Sequence, residues 1–145
     1  KEVGLQLGLT SEQVSRGTAS GDYDDDGDVD ILVFNTGEEL NLFRNDNSEN
    51  DVNWLWVNLR GTKSNRHGVG ARLILSVNGA EQVREVRGSR SYLSQSDYRV
   101  HFGLANAQYA EWLEVHWLSG LKERYERLAS NQLLHIEEGS GKPIP

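Results

Sequence analysis

Residues 21–33 read GDYDDDGDVDILV, with six aspartates in the nine positions 22 to 30, running straight into Ile31-Leu32-Val33. Numbered from Asp22, side-chain oxygens fall at loop positions 1, 3, 5 and 9, from Asp22, Asp24, Asp26 and Asp30. Gly27 stands at position 6, where a calcium loop turns sharply, and the main-chain carbonyl of Asp28 falls at position 7. Alternate residues point the same way, so Asp22, Asp24 and Asp26 are expected to converge while Tyr23 and Asp25 face out. Hard oxygen donors without His or Cys select Ca²⁺ over transition metals. Two carboxylates about 4 Å apart repel by roughly 4 kcal/mol at an effective dielectric of about 20. Four converging carboxylates therefore call for a divalent cation, and the expected ligands are Asp22, Asp24, Asp26, Asp28 and Asp30.

The loop is not an EF-hand, which needs a bidentate Glu at position 12; Val33 stands there, inside an apolar run. A D-x-D phosphatase motif requires a hydrophobic strand before its first Asp, and Gly17-Thr18-Ala19-Ser20-Gly21 is not one. A solvated acidic turn is the bland alternative. Ligation closing at position 9, with a strand at once behind it and that lead-in before it, resembles the calcium loop of FG-GAP/VCBS repeats, the blades of integrin-type propellers. The resemblance implies a propeller-type β-hairpin over residues 1–51. One such repeat cannot close a propeller, because repeats bury their cores against neighbours. Either the chain is cut from a longer protein, or the hairpin packs on the domain that follows.

Other chemistry-bearing residues carry weaker signals. Ser89, Ser91, Ser94 and Ser96 with His101 and Asp97 invite a hydrolase reading, but no G-x-S-x-G elbow is present. Side-chain to backbone hydrogen bonding is the more ordinary role of Ser94-Gln95-Ser96. The four histidines have no ligand spacing. Gly68-x-Gly70 precedes a strand rather than a helix, which points to a tight connection and not a phosphate cradle; Arg66 and His67 in that loop are candidate ligand contacts. Trp54 and Trp112 are candidate sugar-stacking residues, with arginines 66, 72, 84, 87, 90 and 99 available to acidic groups.

The elements that must position these residues read as β throughout. Leu55, Val57 and Leu59 alternate with Trp54, Trp56 and Asn58 over Asn53–Arg60. Further strands are expected at 70–77, 82–87, 97–102, 112–117, 122–127 and 133–137, with Asn78-Gly79 as a tight hairpin turn. Short helical turns at 10–13 and 105–110 are weaker expectations, residues 45–50 read as a linker, and 140–145 as a flexible tail. The fold class is all-β: an antiparallel sandwich or barrel-like domain over 52–139, preceded by the hairpin with its calcium loop.

Composition narrows function. The 145 residues suit one domain with a small appendage, and no apolar run is long enough for a membrane span. There is no cysteine, hence no disulfide or thiolate metal site, and no initiating Met, so the chain reads as a fragment or processed form. Residues 1–53 hold 13 acidic and 3 basic residues, whereas 60–99 hold 8 basic and 3 acidic. The acidic total of −7 argues against nucleic acid as a partner.

A second resemblance rests on Trp54-Leu55-Trp56-Val57-Asn58-Leu59-Arg60-Gly61 and Ser64-Asn65-Arg66-His67-Gly68-Val69-Gly70-Ala71-Arg72. Tyr92-Leu93-Ser94-Gln95-Ser96, His101-Phe102-Gly103-Leu104, Val115-x-Trp117-x-Ser119-Gly120 and Asn131-Gln132 continue it. Together they resemble the ASPIC/UnbV domain over roughly residues 53–138; Leu118 and Ser91 depart from its usual Pro and Gly. That family's domain closes proteins built from FG-GAP/VCBS repeats, and its vertebrate members are secreted acidic proteins of cartilage and other tissues. The resemblance implies a non-enzymatic, secreted or cell-envelope module for binding or adhesion to a protein or glycan; a carbohydrate-binding accessory domain is the alternative. Exposed edge strands are expected to be covered by the sandwich or by a second copy in a homo-oligomer.

Overall fold

A computed structural model of the chain describes residues 4–10, 12–46, 52–89 and 91–145. Eleven strands follow in order: β1 (Ser15–Gly21), β2 (Asp30–Asn35), β3 (Asn41–Phe43), β4 (Asn53–Arg60), β5 (Arg72–Val77), β6 (Ala80–Glu85), β7 (Val100–Ala105), β8 (Tyr109–His116), β9 (Lys122–Ala129), β10 (Gln132–Glu137) and β11 (Lys142–Pro143). They form three sheets, ordered β1-β2-β3, β10-β4-β7 and β11-β9-β8-β5-β6. The chain is all-β, as its alternation predicts, with no helix among the described residues.

The second and third sheets meet in one core. Leu55, Val57 and Leu59 of β4 pack with Leu73 and Leu75 of β5, Phe102 of β7 and Leu113 and Val115 of β8, all buried. The period-2 pattern explains the choice of residues, since alternate positions on each strand face the opposing sheet. Truncating a residue such as Leu75 leaves a cavity in this core and costs about 2–5 kcal/mol.

β4 is central in its sheet, and its two faces do different work. One face carries the sandwich core; on the other, Trp56 is also buried and Trp54 half-buried, beneath the acidic loop of the first sheet. Alternation thus hides a strand that is apolar on both sides because both sides are covered.

Several expectations need correction. The N-terminal unit is a three-stranded sheet, because Leu42 of β3 pairs with Leu32 beyond the expected hairpin. β10 runs parallel to β4, so the sandwich is not wholly antiparallel. At 105–110 no helical turn forms: Ala105 adopts a left-handed φ of 51°, the Ala107 amide bonds the Leu104 carbonyl, and β8 begins. The turn expected at 10–13 likewise forms no helix among the described residues. The strand expected at 97–102 starts three residues later, since Asp97 and Arg99 are drawn to the first sheet.

Nor is the segment 140–145 loose. Lys142 and Pro143 pair with β9, and the buried Glu123 carboxylate accepts the amides of Gly139 (3.1 Å) and Gly141 (2.6 Å). A short tail with two prolines and no apolar alternation gives no sign of such anchoring, which comes from a carboxylate eighteen residues before Gly141. Asn78 and Gly79 do take positive φ, as the tight hairpin requires. Of the expected linker, residues 47–50 lie outside the described residues, as does Arg90.

Candidate metal centre

The acidic loop leaves β1 at Asp22 and rejoins β2 at Asp30. Both ends are buried, at 5% and 3% exposure, and both carboxylates are held by main-chain amides. Asp22 accepts from Asp26 N (3.2 Å) and Gly27 N (3.0 Å); Asp30 accepts from Tyr23 N (3.1 Å) and Asn45 N (2.8 Å). These bonds fold the loop back on itself and leave further lone pairs on each carboxylate.

One oxygen each from Asp22, Asp24 and Asp30 lies within 4.8 Å of the others. Ligands on opposite sides of a Ca²⁺ ion, at about 2.3–2.6 Å each, stand at most about 5 Å apart. The spacing and the all-oxygen chemistry therefore fit a hard divalent cation. Burial raises the Asp22 pKa first of all, opposed by the Gly27 amide and by Arg99, while Asp26 pushes it up again. A buried carboxylate under that pressure is stabilised by any added positive charge.

The other expected ligands are placed differently. The exposed Asp26 carboxylate accepts from Asp28 N at 2.9 Å, a local turn, and it is not one of the three that converge. Asp28 is half-buried, and its charge acts on His101. Asp25 takes φ 58° and points out to Arg99 Nη1 at 2.8 Å, consistent with a spare position. Arg44 Nη1 stands 3.6 Å from Asp24, an internal counter-charge at the exposed side of the cluster.

The loop is clasped by the sandwich. The Gly27 carbonyl accepts from Trp56 Nε1 at 3.0 Å, and the His101 ring lies against Trp56 at 4.9 Å. Gly27 has φ 101°, and a Cβ there would stand 2.0 Å from the Trp54 ring, so both conformation and space demand glycine. Arg99 lies over the Trp56 ring and donates to the Asp22 carbonyl (2.6 Å), Asp25 (2.8 Å) and Asp97 (2.5 Å). Burial holds the His101 imidazole below its ordinary pKa, against the pull of Asp28.

Beside the clasp, residues 94–97 close the open edge of β1. Ser94 Oγ accepts Thr18 N (3.3 Å), Ser96 Oγ accepts Ser20 N (3.1 Å), and Asp97 N donates to Ser20 O (2.9 Å). The serines thus bond backbone, as their residue type suggests, but on another strand. Neither this role nor that of Arg99 was expected from the sequence. The signals available were hydroxyls at period 2 and a lone Arg in a basic segment opposite a strongly acidic one.

The remaining candidates are scattered. Trp54 packs on Gly27, and Trp112 lies under the Arg124 guanidinium at 4.4 Å. His67 is exposed and stacks on Tyr98 at 4.6 Å; Arg66 is exposed, its carbonyl accepting from Gly61. In the same loop, the amides of Thr62, Lys63 and Ser64 converge on Glu138 Oε2 at 2.7–2.8 Å. That cradle for an anion is filled by the protein's own carboxylate, whose pKa falls to about 2 despite burial. A Cβ at Gly68 would press on Leu59 at 2.8 Å, in keeping with a tight connection.

A β-sandwich carrying an acidic, clasped sheet at its N-terminal side is the class of protein that fold and site define. The family model described as ASPIC and UnbV matches residues 61–143. The chain belongs to that family. The match takes in β5 to β11 and leaves the acidic loop outside it. No curated protein matches the chain. Among the described residues no helix is long and apolar enough to cross a membrane.

Proposed function

We propose that this chain is a non-enzymatic binding or adhesion module in which Ca²⁺, held by Asp22, Asp24 and Asp30, rigidifies the N-terminal sheet against the ASPIC/UnbV domain. The observation that carries the reading is the convergence of three carboxylate oxygens within 4.8 Å in a loop whose backbone is already fixed. Bound there, the ion would supply charge neutralisation and nothing reactive; the chain's own residues orient the loop. The first sheet is read as an FG-GAP/VCBS-like repeat, and the setting as secreted or cell envelope, both on the resemblance of its sequence.

Calorimetric titration with Ca²⁺ tests the site. Wild-type protein is expected to give a saturable heat that Asp24→Ala removes, and equal heats from the two proteins would sink the reading. The carbohydrate alternative at Trp54 and Trp112 has less support, because each ring already has a partner on one face. For a homo-oligomer through strand edges, β1 is the least suited, since residues 94–97 occupy its edge.

A further inference from the structure

Part of the basic middle of the sequence stands at one edge of the larger sheet. Arg72, Arg84 and Arg87 line a groove of about 630 Å³ together with Gly70, Val83 and Glu85. At Arg84, Glu85 and Arg87 this groove meets a smaller cleft of about 250 Å³, on whose wall stand Ser96, Asp97 and Tyr98. β6 is the last strand of its sheet, so the groove wraps a free edge. Cross-strand pairing fixes which side each residue takes. Arg84 lies opposite the buried Leu73, while Glu85 lies opposite Arg72 on the other face.

Among the described residues Arg16, Arg66, Arg72, Arg84 and Arg127 have no ion pair, and of these Arg72 and Arg84 share one groove. Arg60, Arg99 and Arg124 each have a carboxylate partner, in Glu137, Asp97 and Glu114. Arg87 pairs with Glu85 at 3.5 Å. No carboxylate lies within ion-pairing distance of Arg72 or Arg84 among the described residues. The Arg84 guanidinium is nevertheless held: it donates to Val83 O (3.0 Å) and Gln82 Oε1 (3.5 Å) and lies over Phe102 at 5.8 Å. A guanidinium has five N–H donors in a fork that matches an oxyanion, so most of its capacity is unspent.

We propose that this groove binds an acidic sugar chain, one that carries carboxylate or sulfate groups among free hydroxyls. The arginines require an oxyanion. Glu85 and Asp97, paired with Arg87 and Arg99, keep negative charge beside the groove and disfavour a ligand that is anionic throughout. A nucleic acid, with phosphate at every nucleotide, meets both of those carboxylates and the strongly acidic N-terminal unit beyond them. A uronate or sulfated sugar carries separated anionic groups among neutral hydroxyls, which those carboxylates do not repel. Charges on an edge strand also discourage strand-to-strand pairing, and that simpler role predicts no ligand. The proposal takes up the carbohydrate alternative on a different surface from Trp54 and Trp112. The smaller cleft also reaches Val29 of the acidic loop, but neither Arg72 nor Arg84 is a ligand in the metal reading, so the two readings fail separately.

The test is binding at low ionic strength, with a chelator throughout so that the acidic loop plays no part. The probes are an oligogalacturonate, a heparin-derived oligosaccharide, a neutral maltooligosaccharide and single-stranded DNA. At least one acidic sugar is expected to bind, the carboxylated and sulfated arms telling which group is preferred, while the neutral sugar does not bind and DNA binds more weakly. Arg72→Ala and Arg84→Ala are each expected to weaken that binding roughly tenfold. Arg127→Ala, removed to β9 where Arg127 lies over Tyr109, is expected to leave it unchanged. Near-ultraviolet circular dichroism confirms that each variant is folded. No binding of either acidic sugar above the neutral one overturns the proposal. So does DNA binding as tight as the sugar's, or an equal loss in Arg127→Ala.

Discussion

Trp56 Nε1 donates to the Gly27 carbonyl at 3.0 Å, across the junction between the sandwich and the acidic loop. A core-sheet strand thereby reads the conformation of a loop 29 residues earlier in the chain. The loop cannot take up a different turn without breaking this bond, and Trp54 blocks any side chain at Gly27.

Gly27→Ala is therefore expected to detach the N-terminal sheet. The positive φ alone costs on the order of 1–3 kcal/mol, and the Cβ has no room beside Trp54. Limited proteolysis should cut the 12–46 region of the variant while the sandwich survives. An unchanged digestion pattern would show that the junction is looser than the hydrogen bonds indicate. Trp56→Phe is a milder test, losing one hydrogen bond worth about 0.5–1.5 kcal/mol.

The aspartates should divide by position. Asp22→Asn and Asp30→Asn are expected to abolish cation binding, because each removes charge from the three-oxygen cluster. Asp25→Asn should leave binding nearly intact. Asp26→Asn should also be mild, since its oxygen caps the Asp28 amide and an asparagine oxygen can do the same. Calorimetry on the four variants checks the order; strong loss in Asp26→Asn with retention in Asp30→Asn would invert it.

Much of this was legible in the sequence, and for identifiable reasons. Strand β4 has the bounds that alternation gives it, and Asn78-Gly79 turns as its residue types require. In the loop, spacing separates Asp22, Asp24 and Asp30 from Asp25, because it reflects which residues share a side. What spacing does not contain is the path of the folded backbone: it leaves Asp26 outside the three converging carboxylates, and it brings Trp54 and Trp56 under a loop that lies far off in sequence. Arg99, Glu123 and Glu138 act over long separations through clustered polar contacts, which leave no periodic trace. The parallel placement of β10 is likewise a property of the closed sandwich, since its own residues fit either direction.

Glu138 makes stability depend on acid. Three amides and two serine hydroxyls favour its ionised form, and its pKa falls to about 2 from the ordinary 4.5. A carboxylate with a depressed folded pKa contributes its full stability above the unfolded value and loses it as pH falls toward the folded one. The window is thus about pH 4.5 down to 2. The loss is on the order of 3 kcal/mol, taking about 1.4 kcal/mol for each pH unit between the two values. Urea unfolding at a series of pH values should show this decline in wild type and a shallower one in Glu138→Gln, which starts less stable. Parallel curves would assign the acid sensitivity elsewhere.

Ser96 offers the sharpest separation between a surface serine and a structural one. Its Oγ accepts the Ser20 amide at 3.1 Å and meets the Ser20 hydroxyl at 3.2 Å, so Ser96→Ala leaves an outward-facing amide of β1 without its partner. Water can reach part of this edge, which keeps the cost to about 1 kcal/mol. Hydrogen exchange reads the change where global unfolding is too coarse. Protection of the Ser20 amide should fall in Ser96→Ala while that of Thr18, held by Ser94, stays close to wild type. If both amides lose protection together, residues 94–97 leave the edge as one unit. If neither does, β1 is held by β2 alone and the serine contacts are incidental.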